Sequence, residues 1–478
     1  MPRLTPDPTF YPSPSHAMEA PPEKLGYVAL LDPSKQRPDA MGVVDLDPQS
    51  PDYGRLVERV DMPSPGDELH HFGWNACSSH LCGYAAHPHM ERRYLVVPGI
   101  HTSRIAIMDT KPNPRRPEIV KVIEGDEVAA RTGYSAPHTT HCGPDGLYVN
   151  ALGAVDGEGP GGIFTMDHET FELKGAWEAD RGDQYLAYDF WWHLGHDTMI
   201  TSEWGTPNMV TEGLDPELLL NGEYGHALHV WDLKSRKHLK RIELGKEQQM
   251  VLELRPAHDP RKAYGFAGVV ISLEDLSASI FLWYLDGMNG SGAEVAAGNG
   301  SSEWKARKVI TIPAEPADAE DLPPLLKGFG AVPPLVTDLN LSLDDQTLYV
   351  SCWGTGELIQ YDVSDPFNPK QTGSVKIGGI VRRAEHPARP GKALNGGPQM
   401  VEISRDGRRV YLTNSLYSPW DAQFYPDGIE GWMVKIDANP AGGVALASDF
   451  FVEMEDGLRP HQVRLQGGDA SSDSFCYS

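Results

Sequence analysis

The chain contains 478 residues, more than one ordinary hydrophobic core accommodates, and 40% of them are hydrophobic. Its 67 acidic and 41 basic residues give a formal net charge of −26. This charge argues against nucleic acid or an anionic membrane surface as a partner, because both require a basic face. The sequence has no stretch of about eighteen apolar residues, the length that spans a membrane, and its first residues lack the apolar core of a secretion signal. It therefore predicts a cytoplasmic protein.

One strand pattern recurs along the whole chain. An apolar stretch ends in aspartate, a turn follows, and a second apolar stretch comes next; the copies lie at residues 41–45, 105–109, 163–167, 228–232, 280–286, 358–362 and 432–437. The copies are on average about 65 residues apart, which leaves room for four strands and their loops in each unit. The pattern predicts an all-β fold, a seven-bladed β-propeller.

An inner strand is predicted before each outer pair, near residues 69–74, 137–142, 187–192, 251–255, 336–341, 398–403 and 460–465. The last of these has no outer strands after it, and the outer strands near residues 27–60 have no inner strand before them. Joining the two ends completes one blade and closes the ring without a free sheet edge. Residues 27–478 are thus predicted to form a single propeller domain, and the proline-rich residues 1–26 a surface segment.

Three of the predicted inner strands begin with histidine, at His71, His138 and His461. Closure of the ring makes their three blades consecutive, although the residues are far apart in the chain. Inner strands line the central channel of a propeller, and imidazoles are common ligands of transition metals. We therefore predict one metal site to which His71, His138 and His461 contribute.

A second histidine, His141, follows His138 on the same strand. Residues three apart on a straight strand face opposite ways, so only one of the two reaches the channel unless a bulge intervenes. The Pro-His pair at His138 matches that at His461, which favours His138, and His141 is retained as a further metal ligand. Residues 398–407 align with residues 137–146 without a gap, yet carry Gln399 at the position of His138, so the strand itself does not require histidine.

The remaining polar candidates give weaker patterns. The cysteines are too few and too unevenly spread for a disulfide framework, so reduced thiols are expected; they are Cys77, Cys82, Cys142, Cys352 and Cys476. The spacing of Cys77 and Cys82 is not one of the strong zinc patterns. Carboxylates expected near the channel mouth are Glu203, Asp338 and Glu402. Other histidines are interpreted as structural, among them His87, His89 and His168.

Several longer motifs together resemble the selenium-binding protein family, whose members include methanethiol oxidases. They extend over most of the chain and include Asp67-Glu68-Leu69-His70-His71, Gly73-Trp74-Asn75, Cys77-Ser78-Ser79, Tyr188-Asp189-Phe190-Trp191, Ser202-Glu203-Trp204, Gly396-Gly397-Pro398-Gln399-Met400 and Gln423-Phe424-Tyr425-Pro426. The family's Cys-Ser-Ser-Cys pattern ends here in His80, and the cysteine associated with selenium in mammalian members falls on Gly54. Selenium binding through that thiol is therefore not expected.

The resemblance implies a copper-dependent oxidase that converts methanethiol, O2 and water to formaldehyde, hydrogen sulfide and hydrogen peroxide. Its partners would be a small thiol and O2. We expect copper to be bound by His71, His138, His141 and His461, and the catalytic residues to be His138, His141, Cys77 and Glu203. Aromatic residues such as Phe72, Trp74, Phe190 and Trp191 are expected to form the wall of a small apolar pocket.

Two other functions fit a propeller of this composition. One is a binding protein that holds copper or a selenium species without turnover. The other is a lactonase-like hydrolase with a Ca²⁺ site of inward Asp, Asn and Glu side chains. Histidine at three adjacent blade entrances favours a softer metal over Ca²⁺.

Overall fold

The computed structural model describes residues 5–83, 87–143, 145–287 and 303–478. Within them, seven four-stranded antiparallel sheets form the blades of a β-propeller, as predicted. Each blade has its inner strand at the channel and its fourth strand at the rim. The seven apolar stretches that end in aspartate occupy the third strand of each blade.

The blades are numbered in chain order, and their strands are given from the inner strand outward. Blade 1 contains Arg459–Leu465, Leu25–Leu31, Pro38–Asp45 and Leu56–Pro65; blade 2 contains Gly73–Trp74, Tyr94–Pro98, Ile105–Asp109 and Glu118–Ile123. Blade 3 contains Tyr134–Gly143, Gly146–Ala154, Gly162–Met166 and Leu173–Ala176; blade 4 contains Phe190–His193, Thr198–Ser202, Ala227–Asp232 and Lys237–Glu243. Blade 5 contains Gln248–Pro256, Tyr264–Ser272, Ala278–Leu285 and Trp304–Ile312; blade 6 contains Val336–Leu341, Thr347–Cys352, Glu357–Asp362 and Lys370–Lys376; blade 7 contains Val401–Ile403, Arg409–Thr413, Trp432–Ala438 and Val444–Glu453.

Blade 1 combines both ends of the chain. Its inner strand, Arg459–Leu465, pairs antiparallel with Leu25–Leu31, with Gly26 opposite Leu465 and Leu31 opposite Arg459. This pairing buries every residue of Leu25–Leu31, because the strand is covered on both faces and has a neighbour on each edge. The predicted closure of the ring is therefore confirmed.

The elements outside the blades are short. Two-residue to five-residue strands form ribbons, Glu315–Pro316 with Ala331–Val332 and Glu385–His386 with Arg389–Ala393. The helices are Pro14–Met18, Gly125–Thr132, Pro207–Val210, Pro216–Leu220 and Ser418–Phe424, with 3-10 turns at Ser78–Leu81, Leu194–His196 and Glu455–Gly457. In the part of the chain that the structure describes, no helix has the length and apolar character needed to cross a membrane. Residues 5–24 lie against the propeller, where the carbonyl of Pro21 accepts a hydrogen bond from Arg405.

A layer of buried charge joins the inner strands of three blades. Arg255 of blade 5 is 4% exposed and contacts three carboxylates: Glu253 Oε2 at 3.1 Å, Asp338 Oδ1 of blade 6 at 3.3 Å, and Asp189 Oδ2 before blade 4 at 3.6 Å. A buried charge is tolerated only when it is paired, so removal of the guanidinium leaves these carboxylates uncompensated.

Arg255→Ala is expected to lower the free energy of unfolding by about 3–5 kcal/mol, measured by urea denaturation. Arg261→Ala is the matched control, because Arg261 is 72% exposed and pairs with Asp259 at the surface. The control is expected to change stability by less than about 1 kcal/mol. Equal losses in the two variants would contradict a structural role for the buried layer.

Candidate metal centre

Four imidazoles meet at the end of the channel. His70 and His71 precede the inner strand of blade 2, His138 lies on that of blade 3, and His461 on that of blade 1. Ring centroids of His70 lie 5.0 Å from His71, 4.8 Å from His138 and 3.4 Å from His461. One ligand nitrogen from each of His70, His71 and His138 lies within 4.8 Å of the other two. We call His70, His71, His138 and His461 the histidine cluster.

The backbone explains why these residues converge. Closure places blades 1, 2 and 3 side by side, and Gly73 brings the inner strand of blade 2 against that of blade 3. A Cβ at Gly73 would lie 2.3 Å from the carbonyl oxygen of Thr140, so only glycine permits this approach. The pairing register of the blade 3 inner strand shifts between Pro137 and Thr140. This shift is a bulge of the kind that lets the two histidines of the strand depart from strict alternation.

The outer ring nitrogens of the cluster have hydrogen-bond partners in the protein. His461 Nδ1 donates to the carbonyl of Ser415 at 2.7 Å, His138 Nδ1 lies 2.9 Å from the Thr139 hydroxyl, and the Gln462 amide lies 3.4 Å from His71 Nδ1. Such bonds fix the orientation of a ligating imidazole. The opposite nitrogens, His71 Nε2, His138 Nε2 and His461 Nε2, together with His70 Nδ1, are buried and have no hydrogen-bond partner among the described residues.

Burial also sets the protonation state of the cluster. It lowers the pKa of His461 to about 3 and, together with the neighbouring imidazoles, lowers the pKa values of His70, His71 and His138 well below the ordinary value. Neutral imidazoles carry free lone pairs. Each neutral imidazole has one lone-pair nitrogen, and the hydrogen bond from His461 Nδ1 to Ser415 leaves that of His461 on Nε2. A cluster of buried neutral imidazoles is a donor set that fits a transition metal such as copper.

Two polar neighbours of the cluster were not selected from the sequence. Glu253 Oε1 lies 3.5 Å from His71 Nε2 and accepts a hydrogen bond of 3.1 Å from the Tyr188 hydroxyl. The ring of Tyr188 lies 4.4 Å from that of His138. Burial, reinforced by the Asp189 carboxylate, raises the pKa of Glu253 above its ordinary value. Glu253 also pairs with Arg255 of the same strand, at 3.1 Å.

An apolar cavity of about 210 Å³ reaches the histidine cluster at His70, and Tyr188 lines the cavity beside it. Its walls come from blades 4 to 7 and from the helices above them, and include Trp204, Met250, Leu252, Val270, Trp353 and Trp420. Leu220 and Phe329 also line it and are 64% and 50% exposed, so the cavity connects the cluster with the surface. The aromatic residues expected as walls, Phe72, Trp74, Phe190 and Trp191, are not among its lining residues.

Three predicted site residues, His141, Glu203 and Cys77, lie away from the histidine cluster. The ring of His141 contacts Trp191 at 4.0 Å, and its Nε2 lies 3.8 Å from Asp189 Oδ1, so the structure does not bring it into the histidine cluster. Glu203 accepts a hydrogen bond of 2.8 Å from His229 Nε2 and two from the backbone amides of His226 and Ala227. These bonds tie Glu203 to the outer strands of blade 4. Asp338 and Glu402 belong to the charged layer, where Glu402 pairs with Arg464 at 2.7 Å.

Cys77 forms a disulfide with Cys142, which lies near the end of the blade 3 inner strand Tyr134–Gly143. Cys82 forms a second disulfide with Cys476. Reduced thiols were expected because the cysteines are few and unevenly spread, and for these four that expectation is wrong. The paired cysteines are 65 and 394 positions apart, so spacing along the chain does not connect them. Cys352 is the free cysteine of the described residues and is buried. Gly54, at the position of the selenium-associated cysteine, lies in a turn with φ of 72° and carries no thiol.

A sequence profile of the 56 kDa selenium-binding proteins matches residues 4–476. The chain belongs to the selenium-binding protein family. Curated relatives in the family include a methanethiol oxidase of Xenopus laevis and one of Homo sapiens, each 38% identical over 97% of both chains. Selenium-binding protein 2 of Mus musculus is 37% identical over the same share.

Solved structures support the same family and fold. A hypothetical selenium-binding protein from Sulfolobus tokodaii is 56% identical and superposes with a TM-score of 0.93, covering 99% of this chain and 100% of that one. The periplasmic gluconolactonase of Pseudomonas aeruginosa has a TM-score of 0.53 at 13% identity, covering 92% of this chain and 98% of its own. The second likeness shows a shared propeller fold alone.

Proposed function

We propose that this member of the family is a copper-dependent methanethiol oxidase that converts methanethiol, O2 and water to formaldehyde, hydrogen sulfide and hydrogen peroxide. The observation that carries the proposal is the set of four neighbouring buried imidazoles beside an apolar cavity, with ligand nitrogens of His70, His71 and His138 within 4.8 Å of one another. The names of the curated relatives support the reaction, since they match over nearly the whole chain.

The histidine cluster would hold the copper, through His70, His71, His138 and His461. When bound, copper would lower the pKa of a coordinated thiol and accept electrons from the thiolate. Glu253 Oε1, 3.5 Å from His71 Nε2, is placed to take the thiol proton, and the Tyr188 hydroxyl holds that carboxylate in position. The apolar walls of the cavity would accommodate the methyl group of the thiol.

The test compares copper-loaded and metal-free forms of the unmodified protein. Loaded protein is expected to consume O2 and release sulfide and peroxide from methanethiol, and metal-free protein is not. Equal rates in both forms would refute the copper mechanism. Full copper occupancy without O2 consumption would instead favour a propeller that binds the metal without turnover.

Narrowing the cavity should weaken substrate use without affecting the metal. Val270 lines the cavity and is 5% exposed, so Val270→Phe places a ring in the space that the thiol must cross. We expect KM for methanethiol to rise about tenfold or more, because steric exclusion acts on binding, while copper content stays unchanged. An unchanged KM in a folded, copper-loaded variant would show that the substrate enters by another route.

A further inference from the structure

A second group of metal-ligand side chains lies apart from the histidine cluster. Ligand atoms of Cys77, His80 and Cys142 lie within 4.8 Å of one another, and all three residues are buried. Cys142 follows His138 by four positions on the blade 3 strand, which corresponds to about 13 Å at the usual rise per residue. The two groups therefore occupy opposite ends of one inner strand and cannot share an ion.

The Cys77–Cys142 disulfide does not account for the burial of the neighbouring His80 side chain. Its side chain is fully buried, and both ring nitrogens lack a hydrogen-bond partner among the described residues. A buried imidazole without partners is costly, so a native structure rarely keeps one without a use for it. Its ring lies 4.6 Å from that of His168 and 5.8 Å from that of His87, and Phe10 of the N-terminal segment covers it at 5.7 Å.

We propose that reduction of the Cys77–Cys142 disulfide creates a second metal site, in which the two thiolates and His80 bind a zinc ion. Two sulfurs on a tetrahedral zinc lie about 3.8 Å apart, given Zn–S bonds of about 2.3 Å. Their Cα atoms are 6.1 Å apart, so side-chain rotation with little movement of the main chain separates the sulfurs. Two thiolates, one neutral imidazole and Zn²⁺ sum to zero charge, which suits a buried position.

The redox step is balanced by a thiol reductant. Two reductant thiols give two electrons and two protons to the Cys77–Cys142 bond and become a disulfide themselves, and zinc then displaces both protons from the new thiols. The fourth zinc position is left for water or for His168. His168 Nε2 is hydrogen-bonded to the carbonyl of Gly143 at 3.0 Å, an arrangement that orients a ligating ring.

Cobalt(II) is the probe, because thiolate coordination gives a near-ultraviolet charge-transfer absorption that a site of histidines alone does not produce. Protein kept in a phosphine reductant is expected to show this absorption, saturating at one thiolate-bound cobalt per chain in addition to any cobalt held by the histidine cluster, and zinc is expected to displace it. Oxidised protein is expected to lack it. His138→Ala removes a residue of the histidine cluster and is expected to leave the signal intact.

Substitutions distinguish the proposed zinc ligands from residues outside the site. Cys77→Ser should abolish the absorption, and His80→Gln, which keeps both thiols, should weaken cobalt and zinc affinity at least about tenfold. Cys352→Ser and His89→Gln are matched controls outside the site and should match the unmodified protein. The proposal is overturned if reduced protein shows no thiolate–cobalt absorption, if the reductant fails to open the Cys77–Cys142 bond, or if His80→Gln binds as tightly as the parent.

Discussion

Alanine at His138 is expected to abolish copper binding and oxidase turnover together, with both falling by at least about a hundredfold. His138 Nε2 is buried and has no hydrogen-bond partner among the residues that the structure describes, and the imidazole has neighbours from blades 2 and 4. Its removal takes one donor from the cluster but breaks no inter-blade ion pair. Copper per chain by elemental analysis and O2 uptake with methanethiol measure the two losses.

The fold of this variant should survive, since Gln399 occupies the same position in the aligned segment of blade 7. Gln399→Ala is the matched control. It deletes a buried polar side chain whose amide atoms also have no hydrogen-bond partner in the described part of the chain, and it lies outside the histidine cluster. The control should keep copper and activity. A folded His138→Ala protein with full copper occupancy would remove His138 from the proposed ligands.

Deletion of all residues after Arg459 is expected to leave the protein insoluble. The deletion removes most of the inner strand of blade 1 and exposes the hydrogen-bonding edge of Leu25–Leu31, which is otherwise buried. It also removes Asp473, whose carboxylate pairs with the buried Arg92 at 2.7 Å. An open edge in a buried sheet and an unpaired buried charge both favour aggregation over folding.

A chain that ends at Cys476 is the control for this truncation. It loses only Tyr477, which is 51% exposed, and Ser478, and it retains the closing strand and the Cys82–Cys476 disulfide. Its soluble yield and melting temperature should match those of the full chain. A soluble, cooperatively melting product from the longer deletion would show that the ring does not depend on its closing strand.

The architecture and part of the site could be predicted from the sequence because they depend on periodicity and counting. The recurring apolar stretches establish seven blades, and the unpaired strands at the two ends require closure. Closure alone then makes the blades of His71, His138 and His461 neighbours. The adjacency of these blades does not depend on the direction of any side chain, so it holds even where the backbone is irregular.

Only the tertiary structure decided which side chains face one another. The strand of blade 2 begins at Gly73, so His70 and His71 precede it on irregular backbone, and both can turn into the cluster without the alternation of a strand. His141 instead lies beside Trp191, Glu253 reaches His71 from another blade, and Cys77 meets Cys142 across blades 2 and 3. Each of these contacts is made through space between blades, where the spacing of residues along the chain carries no information about which side chains meet.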